Sequence, residues 1–235
     1  MGLFDQIAAT RIGNKAVNEQ KKGNYAQAEE LYREAYQKGI TSIAHLSSFT
    51  GLLVRGGKFD EALEVIKRTE RLGGLTERDK LNIHIQYAVI LWRKGHLDHA
   101  IEILETDAKK AKNGTLYAVI GYLLIEQGDA EKALKFNLEA LDYDDEDPLF
   151  LENLAQVYYR LLGDKENARK YFNKVLQFKP EAIDTNYFLS FYDAEEGNKE
   201  KARERLQISA KGRFSQLNYA TPKMIEEALA ALDQE

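Results

Sequence analysis

No cysteine occurs in the 235 residues, so the chain has no disulfide, no thiolate nucleophile and no zinc site built on sulfur. That composition fits a reducing compartment, and a cytoplasmic location is the simplest expectation. Proline is scarce at 3 residues, while Ala, Leu, Glu and Lys are frequent, so the chain leans to helix. The opening stretch MGLFDQIAATRIGNK lacks both a basic start and a long apolar run, so no signal peptide is expected. Gln6 stands where a myristoylation motif needs Ser or Thr. No apolar run nears the ~18 residues of a membrane span, and no membrane contact is expected. Positive charge is not in excess either: 33 Lys and Arg against 38 Asp and Glu give a net charge of −5, with the signs interspersed. Binding driven by counterion release needs a basic surface, so no nucleic-acid partner is expected.

Signatures of catalysis are missing as well. There is no G-x-x-x-x-G-K-[ST] phosphate loop, no G-x-S-x-G elbow and no H-E-x-x-H pair. His96 and His99 lie three apart around a helix start with Asp98 between them, as metal ligands do. A zinc site needs three or four ligands held by an organised surround of hydrogen bonds, and His45 and His84 are distant in sequence. Exposed loop and first-turn residues are the simpler reading. In DYDDEDP at 142–148, a calcium loop starting at Asp142 would need Gly at 147 and Glu at 153, where Asp147 and Asn153 stand. No cofactor, no metal and no enzyme activity are expected.

What the chain does have is one phrase written six times. GNYAQA at 23–28 returns as GKFDEA at 57–62, GHLDHA at 95–100, GDAEKA at 128–133, GDKENA at 163–168 and GNKEKA at 197–202. The glycines at 23, 57, 95, 128, 163 and 197 are 34, 38, 33, 35 and 34 residues apart. A period of roughly 34 is the mark of stacked helical hairpins. Before Gly128, Leu116, Ile120, Leu123 and Leu124 fall at helical spacing; after it, Ala130, Ala133, Leu134, Leu138 and Leu141 do the same. The glycine therefore ends the first helix of a pair in the left-handed region, and the alanine lets the second helix approach closely. In the longer second step, Gly73-Gly74 stops one helix and Thr76 with Asp79 can cap the next.

These residues resemble the tetratricopeptide repeat. The fifth unit carries the family pattern most fully, with Leu154-Ala155, Tyr158, Gly163-Asp164, Ala168, Phe172 and Pro180. The fourth has Ile120-Gly121, Leu124, Gly128-Asp129, Ala133 and Ala140, and the first has Ala16, Gly23, Tyr25, Ala28, Tyr32 and Ala35. The resemblance implies an all-α, right-handed α-solenoid of antiparallel helix pairs. It implies one array over 1–235, with repeats at about 9–42, 43–76, 81–113, 114–147, 148–182 and 183–212. Asn137, Asp107 and Asp193 replace residues that the pattern makes apolar, alanine and tyrosine, which predicts imperfect packing in units three, four and six. TPKMIEEALAALDQE supplies a capping helix at about 221–233, with Thr221 as N-cap, Pro222 at the first helical position and Met224, Ile225, Ala228, Leu229 and Leu232 on one face. At the other end Leu3, Phe4, Ile7 and Ala8 are placed to extend or cover the first helix.

Packing consumes the recurring positions, so recognition falls to those that vary, chiefly the first-helix face that lines the inner surface of such arrays. The family geometry places Ser47, Val54 and Arg55 there in unit two, and Asn82, Ile85, Val89, Trp92 and Arg93 in unit three. Unit four adds Tyr122, Ile125 and Glu126; unit five Glu152, Gln156, Tyr159 and Arg160; unit six Asp184, Tyr187, Phe191 and Glu195. The register of units one and five is open by a residue. Partner binding is expected from Arg55, Ile85, Val89, Trp92, Arg93, Tyr122, Ile125, Tyr159, Tyr187 and Phe191, whose aromatic and Arg members are typical anchors. The carboxylate clamp of chaperone-adaptor repeats is not matched: Thr10, Asn14, Ser48, Asn82 and Gln86 stand near its places. The expected function is a non-catalytic scaffold or adaptor that holds a peptide or partner helix in the concave groove. A self-associating structural module of a larger assembly, forming a homo-oligomer, is one alternative, and a regulator with a metal or small-molecule site is another.

Overall fold

The computed structural model describes residues 3–234, with side chains described for 5–233. Among them every regular element is a helix. The six hairpins are α1 (Leu3–Lys21) with α2 (Tyr25–Gln37), α3 (Ile43–Arg55) with α4 (Phe59–Leu72) and α5 (Glu77–Arg93) with α6 (Leu97–Ala108). They continue with α7 (Gly114–Gln127) and α8 (Ala130–Tyr143), α9 (Pro148–Gln156) and α10 (Lys165–Phe178), and α11 (Ile183–Glu195) and α12 (Lys199–Ala210). The helix α13 (Pro222–Gln234) closes the chain. Compact units form within residues 1–103 and within 104–235, the division falling inside α6.

The corner phrase behaves as its letters dictate. All six glycines take positive φ, between 66° and 89°, the region where a Cβ is disfavoured. All six partner alanines, 28, 62, 100, 133, 168 and 202, are fully buried, which is what allows the paired helices to touch. The start of α5 carries a complete capping box: Thr76 Oγ1 accepts from the Asp79 N–H at 3.1 Å, and Asp79 accepts from the Thr76 N–H at 3.0 Å. Gly73 ends α4 at φ 71°. Thr221 accepts from the Met224 N–H at 3.2 Å and Pro222 opens α13.

In residues 1–103, α3 packs on α2, α4 and α5, and Phe49 stacks on Tyr32 with ring centres 6.1 Å apart. Residues 3–8 form the start of α1 and so extend the first helix. Ile7 is 44% exposed and Ala8 is exposed, so neither covers the first hairpin, and the side chains of Leu3 and Phe4 lie outside the described residues.

In residues 104–235, α7 packs on α8 and α9, α9 on α10, and α11 on α10 and α12. Leu116, Ile120, Leu123, Phe150, Phe172 and Phe188 are among the largest fully buried side chains of this unit, with Phe172 stacked on Phe188 at 5.1 Å.

Two details depart from the apolar pattern. Leu138 is 41% exposed, and the polar Asn137 takes the buried place beside it because Gly121 opposite has no side chain to oppose an amide. Asp193 is also buried, where the repeat pattern has tyrosine, and is neutralised by Arg205 and by Lys201 at 2.9 Å.

The fifth hairpin holds a third departure. From Tyr158 to its corner glycine there are five residues, whereas Leu124 to Gly128 is four. The extra residue is absorbed by a π-helical turn over Val157–Leu162, closed by the Asp164 N–H donating to the Tyr158 carbonyl at 2.9 Å. This turn fixes the register that spacing leaves open by a residue.

Candidate functional site

The expected partner-binding residues divide by burial. In the N-terminal unit, Ile85, Val89, Trp92 and Arg93 lie at i, i+4, i+7 and i+8 of α5 and so share one face. Trp92 and Ile85 are half-buried and Arg93 is exposed, with its guanidinium 4.6 Å from the Trp92 ring centre. Val89, at 5% exposure, packs inward. Arg55 is half-buried at the end of α3.

In the C-terminal unit Tyr122 and Ile125 belong to α7, whose residues 118–125 are all buried. That helix is apolar all round, and such a helix leaves little surface for a partner. Tyr187 is buried at 8%, edge-on to Phe191 at 4.9 Å. Tyr159 and Phe191 are half-buried. Tyr159 is drawn toward the core, its ring 4.7 Å from Phe188 and 6.0 Å from Tyr192. Burial pushes the phenols of Tyr159, Tyr187 and Tyr192 up, the last to about 12.

Around α9 and α11 the structure assembles a polar centre on Glu152 and Asp184, two residues that the repeat register assigns to the inner face but that the expected partner-binding set leaves out. Asp184, in the first turn of α11 and 1% exposed, accepts from the backbone N–H groups of Tyr219 at 2.9 Å and Ala220 at 3.0 Å. The Asn218 side-chain amide adds a longer bond at 3.4 Å. Glu152, on α9, accepts from the Thr185 hydroxyl at 2.6 Å and its N–H at 3.0 Å. Burial raises the Asp184 carboxyl to about 7, and the nearby Glu152 charge adds to it. Glu152 is raised by burial too, against the pull of Thr185 and Lys179.

Arg160, on the π turn, donates to Gln156 at 3.0 Å and Glu126 at 2.7 Å. Its guanidinium lies 4.2 Å from the Tyr219 ring centre, and Tyr219 stacks on Phe188 at 5.1 Å. Elsewhere in this unit a cleft of about 560 Å³ is lined by Tyr117, Phe136, Tyr143, Lys109 and Lys112 among others.

His96 and His99 are exposed, and among the described residues no three His, Asp or Glu side chains gather as a metal-ligand set. Among those residues no helix is long and apolar enough to cross a membrane.

Comparison with known proteins agrees with this architecture. Two tetratricopeptide-repeat family models match, over residues 46–144 and 119–183, together more than half of the chain. The TPR repeat-containing protein MJ1428 of Methanocaldococcus jannaschii is 28% identical over 161 residues, 68% of this chain. The match spans only 27% of that relative's length. Among solved structures, the thermophilic TPR protein TTC0263 of Thermus thermophilus superposes with a TM-score of 0.61 at 21% identity, over 75% of this chain and 94% of that one. Cut9-Hcn1, described as an APC/C hetero-tetramer, gives 0.69 at 13% identity, over 95% of this chain and 42% of that one. A 34-residue beat, left-handed glycine corners, buried corner alanines and two matching family models converge: the chain belongs to the tetratricopeptide-repeat proteins.

Proposed function

We propose that this protein is a non-catalytic scaffold that binds a peptide segment or partner helix on the first-helix faces of its hairpins. The observation that carries this is the α5 stripe: a half-buried Trp92 with the Arg93 guanidinium over its ring, beside Ile85, at a position that the repeat register assigns to the inner face. A large aromatic paired with arginine is the composition of an interface anchor, and a helix-in-groove partner reads such a stripe at i, i+3, i+4 and i+7. The similarity in fold to a subunit of a named hetero-tetramer supports a role in assembly.

Trp92 is the sole tryptophan, so the anchor carries its own reporter. Affinity capture with wild-type and Trp92→Ala baits, followed by emission titration of each recovered partner against the wild type, tests the reading. Partners that shift Trp92 emission and lose at least tenfold in affinity for Trp92→Ala support it. Partners that bind both proteins equally, with unchanged emission, refute it.

A further inference from the structure

Between α12 and α13 the chain runs through residues 211–221 as an irregular strap. The strap is internally organised: Ser215 N–H donates to the Asn218 side-chain oxygen at 2.8 Å, and Asn218 N–H to the Ser215 carbonyl at 3.3 Å. It passes so close to α11 that a Cβ on Gly212 would meet the Ile183 side chain at 2.3 Å. It then lays Tyr219 between Phe188 and Arg160 and turns two successive N–H groups onto Asp184. Asp184, Arg160, Tyr187 and Glu152 are among the residues that the repeat register assigns to the inner face. The chain's own strap thus sits where a bound segment would sit.

We propose that Asp184, Phe188 and Arg160 form a recognition pocket whose resident ligand is the strap, and that a partner segment with the same chemistry enters by displacing it. That chemistry is an aromatic side chain followed by a small residue, with two consecutive free backbone N–H groups, immediately ahead of a helix. The inference rests on the scaffold reading but uses a surface independent of Trp92.

Specificity follows from Asp184. With the strap displaced, this buried acceptor faces no N–H donors, so a segment that cannot supply them leaves a desolvated carboxyl unpaired and is rejected. Arg160, clamped by Glu126 and Gln156, is held ready over the aromatic ring of whatever occupies the pocket. The strap competes as a tethered ligand at millimolar-range effective concentration, so the closed protein binds such a segment weakly.

The test uses the full chain and a fluorescein-labelled peptide of residues 213–224. Two proteins open the pocket: one with residues 213–220 replaced by an equal length of Gly and Ser, and Tyr219→Ala, which keeps every backbone donor. Each is expected to bind the peptide at least tenfold tighter than wild type by fluorescence anisotropy. Arg160→Ala in the opened protein, or Tyr219→Ala in the peptide, is expected to remove most of that gain, whereas Trp92→Ala leaves it intact. Equal or absent binding by the wild type and a Tyr219→Ala protein with native helicity overturns the proposal. Light scattering that shows strap exchange between two copies, with no peptide uptake by the opened proteins, overturns it as well.

Discussion

The Asn137 side-chain amide lies over Gly121, donating to its carbonyl at 3.3 Å and to the Ala133 carbonyl at 2.9 Å. Asn153 reaches the same place from α9 and donates to the Ala118 carbonyl at 2.8 Å. Two buried amides thus fill the space that a larger residue at 121 would claim.

Gly121→Ala is expected to destabilise the protein by about 1–3 kcal/mol, as overpacking does. The added Cβ would stand 2.3 Å from the Asn137 oxygen, which has no hydrogen-bond partner among the described residues, and 2.9 Å from the Asn153 nitrogen. Both amides are tied to backbone carbonyls through their nitrogens. A lower urea midpoint at unchanged slope is the signature, and Asn137→Ala in the same chain should recover part of it. A midpoint equal to wild type would show that the amides give way freely.

Stability of the C-terminal unit is expected to fall as pH rises from about 4 to 7. Burial first, and the Glu152 charge second, raise Asp184 from its ordinary 3.8 to about 7. In that window the folded state keeps a proton that the unfolded chain has lost. The contribution is therefore complete below the unfolded value and gone once pH passes the folded one, at up to about 1.4 kcal/mol per pH unit. Glu152, also raised, acts with the same sign. Asp193 has the opposite sign, because Lys201 and Arg205 hold it down against burial, and its effect lies below pH 4. Melting temperatures at pH 5 and pH 8 should differ more for the wild type than for Asp184→Asn; equal differences would disprove the assignment.

Asp193→Ala is expected to cost about 2–4 kcal/mol, because it strips a largely buried Arg205 of its counter-charge. Replacing the pair by Leu at 193 and Met at 205 should restore most of that stability. Urea titration of the single and double variants separates a lost attraction from an unpaired charge.

Gly128→Ala isolates the conformational part of a corner. Its φ is +86° and nothing lies within 4 Å of the position a Cβ would take, so the substitution meets no clash. The expected loss of about 1–2 kcal/mol is that of forcing a left-handed residue, and Gly128→Asn should lose less.

Much of this was legible in the letters. Residues 128 and 133 announced their corner because a positive φ admits glycine and a close helix pair admits alanine, and both demands act over a few residues. Thr76 with Asp79 and Thr221 with Pro222 were readable for the same reason. The π turn was visible only as one surplus residue before Gly163, since spacing shows an insertion but not how a helix absorbs it. Apolar periodicity placed Leu138 inside, where Asn137 is found, because the deciding residue, Gly121, lies on the preceding helix.

The sequence by itself determined the hairpin, its period and its capping, since these depend on backbone conformation and on contacts within one turn or one corner. Only the tertiary structure decided that Tyr122, Ile125, Val89 and Tyr187 are covered, and that Asp184 is occupied by the strap before α13. The physical reason is distance along the chain: Asp184 and Ala220 meet across 36 residues, and nothing local to either one encodes the other.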